Sequence, residues 1–266
     1  MTHRYGIAVA AGMFLAIATS GCGSDPATKP GSSAGTKVVP SGISDPCAGV
    51  AGCDEMPASD VDGDGTLDRI GVAVPVDVKF GYPTTVTVLV SAGGRVKRVD
   101  APSNGMLPGI GSGTSTDHPR PYVGSYRISR TKGADLVLNT AISQGSFGRY
   151  VVIGWQNDQP ALVNSPRPIA NTSTSGVPSE WMLGPSEGSY KGVKCTDGAA
   201  VTTTVLNQAY GEQAPPGGSL RQTDKFLFQD NDWTPNGSDS IPDNSDAWLH
   251  SDKVPTNFDC QDQAGK

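Results

Sequence analysis

Acidic side chains converge in one stretch of the chain, Asp60-Val61-Asp62-Gly63-Asp64-Gly65-Thr66-Leu67-Asp68. Asp60, Asp62, Asp64 and Asp68 stand at the first, third, fifth and ninth places of a loop spaced for a hard cation. Gly65 is at the sixth, where the chain must turn sharply. The seventh place, Thr66, offers a backbone carbonyl. Carboxylates crowded this closely repel one another, and a divalent cation with a preference for oxygen ligands removes that cost. The competing reading is a solvated Asp-Gly turn, which uses the same residue types but leaves the repulsion uncompensated.

The residues after Asp68 decide what kind of loop it is. The twelfth place is Gly71 and not the glutamate that closes an EF-hand, and Ile70, Val72, Val74 and Val76 alternate as a strand, not a helix. Asp-x-Asp-Gly-Asp-Gly-x-x-Asp running into a hydrophobic strand resembles the FG-GAP (integrin-alpha-like) and VCBS repeats of secreted bacterial proteins. The resemblance implies a four-stranded, propeller-blade-like meander. It also implies Ca²⁺ held by Asp60, Asp62, Asp64, Asp68 and the Thr66 carbonyl. Such repeats occur in adhesins, enzymes and stalks, so the motif points to the metal and not to a reaction.

Other chemistry finds little support. Beyond the leader the histidines are His118 and His250, in a Pro-flanked loop and a polar tail, with no nucleophile-elbow sequence or His-Glu-x-x-His helix to serve. Ser129-Arg130-Thr131-Lys132 matches Ser-x-x-Lys, but it falls at a strand end and lacks its partner motifs. The glycine run at 109–113 has neither a Lys-Ser/Thr ending nor a following helix, so it is no phosphate cradle. Trp155, Trp181 and Trp233 are either core residues or sugar-stacking platforms. A secreted hydrolase or carbohydrate-binding accessory protein is therefore the alternative to a non-enzymatic binding or scaffold module. The formal charge of −6 and the lack of a basic stripe argue against a nucleic-acid partner.

Residues 1–21 read as a signal peptide: a basic start at His3 and Arg4, then an apolar core over 7–17 that is too short to span a bilayer. Thr19-Ser20-Gly21-Cys22 resembles a bacterial lipobox, with Thr19 where Leu is usual. Cys22 is then the lipidated (diacylglycerol, palmitate) first residue of the mature chain, with ordinary secretory cleavage nearby as the alternative. The expected location is the extracytoplasmic face of the cell membrane, as in lipoproteins of actinobacteria. The partners expected are the membrane, through this lipid, and an unidentified protein or glycan. Residues 22–45 are Ser, Gly, Pro, Ala and Thr with almost no large apolar side chains, a flexible disordered tether.

Setting Cys22 aside leaves Cys47, Cys53, Cys195 and Cys260, an even set in an oxidising compartment. Of three possible pairings, Cys47 with Cys53 and Cys195 with Cys260 is favoured, closing a tight loop before the acidic motif and pinning the C-terminus.

The elements that must position all this are strands. Gly and Pro are abundant, 34 and 21 residues, and charged residues are sparse, so turns and short strands outweigh long helices. Residues 46–266 are expected to form one all-β domain of about three antiparallel, four-stranded-blade-like meanders, arranged as an open propeller or a sandwich. Strands are expected over 68–78, 84–91 and 95–99, then 126–129, 134–138, 149–155 and 161–163, then 190–195, 200–206 and 225–229. Residues 133–138 take the place of 65–70 in a second, degenerate repeat that has lost its acidic ligands. From Asp230 the chain is expected to lie as an irregular tail anchored by aromatics and by Cys260.

Overall fold

The computed structural model describes residues 44–79, 82–103, 107, 121–129, 133–141, 147–170, 179–186, 189–196, 200–208, 219–242 and 257–265. The leader, the tether up to residue 43 with Cys22, His118, His250 and the glycine run at 109–113 lie outside them. The described chain is all-β, in antiparallel sheets that do not close into a barrel.

The first sheet is a meander of β1 (Cys53–Ser59), β2 (Asp68–Ala73), β3 (Thr84–Ala92) and β4 (Arg95–Ser103), in the order β1-β2-β3-β4. β-branched residues dominate β3, where they fit a pleated, half-buried surface. A Gly93-Gly94 turn with both φ values positive joins it to β4. β1 escapes the alternation rule: Asp54, Glu55 and Pro57 are exposed, as suits an edge strand. It is held by backbone pairing to β2 and by a two-pronged Arg69–Glu55 ion pair (2.7 and 2.9 Å). Gly71 has no side chain because a Cβ there would lie 2.9 Å from Cys47 Sγ and 3.0 Å from Cys53 Sγ, so the first disulfide sits directly on β2.

The next four strands repeat this meander: β5 (Tyr122–Tyr126), β6 (Asp135–Ala141), β7 (Gly148–Gln156) and β8 (Gln159–Val163). The register recurs 67 residues on. Ser59 faces Asp68 as Tyr126 faces Asp135, and Glu55 faces Gly71 as Tyr122 faces Leu138, with a bulge between the two pairs in each case. The repeat is thus one residue out of step with the expected match of 133–138 to 65–70: Asp135, and not Leu136, takes the place of Asp68.

The period-two alternation of β6 and β7 divides their side chains between two cores. Leu136, Leu138, Val151, Ile153 and Trp155 join Ile70, Val72, Val86, Val88 and Val90 of the first sheet. Val137, Tyr150 and Val152 face the other way, onto the third part of the chain. The second meander is therefore a middle layer with both faces buried, which is why β7 reads as a continuous apolar run.

In the third part, β9 (Glu180–Ser186) pairs first with β7 and then with β10 (Ser189–Thr196). β11 (Ala200–Gln208), β12 (Ser219–Gln229) and β13 (Asp232–Pro242) follow in hairpin order and, with the second meander and one short C-terminal strand, make up a ten-stranded sheet. This sheet curls back over itself: Trp233 of β13 packs edge-on to Trp181 (5.8 Å) and donates through Nε1 to the Asn164 carbonyl (2.6 Å). The irregular tail expected from Asp230 gives way to the Asp230-Asn231 turn and the edge strand β13. Its Pro235 lies at a bulge and its side chains other than Trp233 are exposed over 232–240, so no hydrophobic period marks it.

The chain ends as a strap. β14 (Asn257–Asp259) pairs in parallel with the half of β10 that β9 leaves uncovered, and Phe258 packs among Tyr126, Tyr150 and Trp181. Beyond Cys260 the strap crosses the edge strands β5 and β1. Gln263 N–H donates to the Ser125 carbonyl (2.8 Å), Ser59 Oγ donates to the Gln263 carbonyl (3.1 Å) and Gly265 N–H donates to the Ala58 carbonyl (2.9 Å). Both expected disulfides are present, Cys47–Cys53 and Cys195–Cys260.

The two bridges close loops with sequence separations of 6 and 65, so removing the second should release more chain entropy. On loop length alone, replacing Cys195 and Cys260 together by Ser should cost about 4 kcal/mol, against about 2 kcal/mol for Cys47 and Cys53. Urea unfolding of the two double variants checks the order. Equal losses, or a larger loss for the first bridge, would contradict it.

Candidate metal centre

The acidic loop lies between β1 and β2 and is folded by its own backbone amides. Asp60 reaches across it, accepting Gly63 N–H at Oδ1 (2.9 Å) and Gly65 N–H at Oδ2 (3.0 Å). Asp62 Oδ1 accepts Asp64 N–H (3.0 Å) and Asp64 Oδ1 accepts Thr66 N–H (2.6 Å), the local turn bonds that short acidic side chains make. Val61 and Leu67 are buried and fasten the two ends of the loop to the core.

Asp68 differs from the others because it is only 3% exposed. Its Oδ2 accepts the Val61 amide (2.8 Å) and the Asp62 amide (3.3 Å), which draws the start of the loop over the head of β2. No hydrogen bond reaches Oδ1 from any described residue. One oxygen each from Asp60, Asp62 and Asp68 lie within 4.8 Å of one another. Asp64 is exposed and stands outside this trio, with its carboxylate on the Thr66 amide. Among the described residues no lysine or arginine pairs with any of the four carboxylates.

The electrostatics follow from that crowding. Burial, reinforced by the charges of Asp62 and Asp64 against the opposing pull of the two amides, pushes the Asp68 carboxyl up to about 7. Burial also raises Asp62, with Asp64, Asp60 and Asp158 adding repulsion. A partly buried, all-oxygen, acidic donor set without a basic partner among the described residues fits a hard divalent cation and suits no thiophilic or imidazole-seeking metal.

The connection between β5 and β6 is a second edition of this loop. Asp135 Oδ2 accepts the amides of Ile128 (2.8 Å) and Ser129 (2.7 Å), seven and six residues back, as Asp68 Oδ2 does. In the sequence the places of Asp60, Asp62 and Asp64 are taken by Arg127, Ser129 and Thr131, so three of the four acids are replaced and the ninth is kept. The two loops touch: Ala134 N–H donates to the Asp60 carbonyl (2.7 Å). A Cβ on Gly133 would fall 2.3 Å from that oxygen and 2.4 Å from the Val61 carbonyl oxygen. Asp135 and Gly133 carry weight that sequence reasoning missed. The signal was present in the repeat of Val61 and Asp68 as Ile128 and Asp135.

The three tryptophans named above are not available for stacking on sugars. Trp155, Trp181 and Trp233 are all buried, Trp155 beneath the Lys97 ammonium (4.9 Å). Ser129 of the Ser-x-x-Lys match donates its hydroxyl to Asp135, in a loop and not on a helix. No known protein family, curated protein or solved structure matches this chain.

Gly133→Ala must push apart two backbone segments, so it should destabilise the body by about 1–3 kcal/mol in urea unfolding; a change within measurement error would contradict the close approach. A second expectation concerns pH. Without a cation, folded Asp68 keeps its proton up to about pH 7, whereas an unfolded aspartate releases it near pH ~3.9. The folded state then binds more protons across that window, so metal-free stability should fall as pH rises from about 4 to about 7 and level off above. Melting curves in chelator should show this fall in the parent and a shallower one in Asp68→Asn. Parallel profiles would contradict the assignment.

Proposed function

We propose that this chain is a lipid-anchored protein of the extracytoplasmic face of a bacterial cell membrane. In this reading the loop at 60–68 carries a structural calcium ion, and the β-body acts as a non-enzymatic binding or scaffold module for a protein or glycan partner. The observation that carries the reading is the buried Asp68 carboxylate facing Asp60 and Asp62 with no basic side chain among the described residues to neutralise it. Asp60, Asp62 and Asp68 would hold the ion, with Asp64 and the Thr66 carbonyl completing the oxygen set. The ion supplies charge neutralisation at the head of β2 and no reaction chemistry.

Two further observations support the reading. The Cys47–Cys53 and Cys195–Cys260 bridges suit an exported protein in an oxidising compartment. The successive four-stranded meanders, each with an Asp-headed second strand, suit the FG-GAP/VCBS type of repeat. The sequence up to Cys22 supplies the lipid, which would hold an acidic body at a membrane whose head groups would not attract it.

An ion bound only by the folded state stabilises it by mass action, by about 2.7 kcal/mol at a hundred times its dissociation constant. Thermal unfolding of the soluble body should therefore shift upward in millimolar calcium. The double variant Asp62→Ala, Asp64→Ala should lose the shift. An unchanged melting temperature in the parent would overturn the calcium reading.

A further inference from the structure

The two acidic-loop editions differ at one decisive atom. In both, the ninth-place aspartate gives Oδ2 to the same pair of backbone amides. In the second loop the other oxygen, Asp135 Oδ1, receives the Ser129 hydroxyl at 2.6 Å, and both residues are 1% exposed. Ser129 is the counterpart of Asp62, 67 residues on, as Asp135 is of Asp68. At the first loop's third place stands Asp62, which has no hydroxyl to offer, and Asp68 Oδ1, which keeps some contact with solvent, receives no hydrogen bond from the described residues. One chain thus contains the same buried carboxylate in two settings, with a donor supplied from within in one and, among the described residues, lacking in the other.

We infer that the third place of the loop decides whether the repeat depends on a cation: a serine there satisfies the ninth-place carboxylate from within, whereas an aspartate leaves that oxygen to a bound divalent ion. The metal half of this statement rests on the calcium reading of the first loop, and the hydrogen-bond half does not. The second repeat is accordingly the metal-independent one, its Ser129 hydroxyl supplying at the head of β6 the contact to the second carboxylate oxygen that the ion would supply at the head of β2. The same logic makes the metal requirement of the first repeat removable by a single change. Asp62→Ser should place a hydroxyl against Asp68 as Ser129 stands against Asp135, and it also removes one of the repelling charges.

The test compares the parent, Asp62→Ser and Asp62→Ala as full soluble bodies, melted in chelator and in millimolar calcium, with calcium affinity read by titration calorimetry. In chelator, Asp62→Ser should melt about 2–4 °C above Asp62→Ala, the worth of one added hydrogen bond in a domain of this size. Its calcium affinity should fall roughly tenfold or more below the parent's, because a charged ligand is gone. A coincident melting temperature for the two variants, or parent-like calcium affinity in Asp62→Ser, would overturn the inference. Should Asp62→Ser fail to fold, Ser129→Ala decides: it should lower the melting temperature by the same amount with and without calcium, and a calcium-dependent loss would contradict a metal-independent second loop. If the parent itself binds no calcium, the calcium reading of the first loop fails, while the comparison in chelator still decides the role of the third place.

Discussion

A carboxylate buried at the mouth of a β-sheet is the constraint on which this structure turns. Asp68 opens β2, the second strand of the first sheet, at a depth where an ionised group is costly unless something meets both its oxygens. Two amides from the beginning of its own loop meet one of them, so the loop must fold back over the strand it introduces. That fold carries Asp60 and Asp62 in beside Asp68. The acidic cluster is therefore a consequence of satisfying one oxygen of Asp68, and the other is left without a hydrogen bond from the described residues.

The same corner is where the layers of the molecule meet. The Asp60 carbonyl in the first loop receives the Ala134 amide from the second, and Gly133 is bare enough to let the backbones touch. The strap at 257–265 then crosses β10, β5 and β1 in turn. It thereby covers parts of the exposed strand edges that invite unwanted pairing with another chain, and Cys260 fixes it to β10. Between these ties the alternating side chains of β6 and β7 fill two cores at once. The middle repeat thus couples the acidic loop on one side to the aromatic cluster of Trp181, Trp233 and Phe228 on the other.

Much of this was legible in the sequence where side chains report their surroundings. The aspartate spacing located the loop. Alternating valines located β2 and β3, and cysteine parity with loop length favoured the bridges that are present. Structure held by backbone rather than by burial stayed hidden. β1 and β13 are edge strands whose exposed Asp, Glu, Pro, Ser and Asn side chains carry no period, and they exist because their amides and carbonyls pair with β2 and β12. The repeat was placed one residue out of step because glycines were matched to glycines, whereas the shared element is a buried aspartate seven residues after a buried apolar side chain. Asp64 sits fifth in the motif, yet the convergent trio omits it: it is exposed, with its carboxylate on the Thr66 amide.

The central claim concerns where charge is neutralised, and a crystal structure of the soluble body grown in calcium addresses it most directly. The account predicts a single ion bonded to oxygens of Asp60, Asp62 and Asp68 at the roughly 2.3–2.6 Å of calcium–oxygen contacts, with none at the Ser129–Asp135 pair. Density without an ion between those three carboxylates, or an ion seated at Asp135 instead, would contradict it.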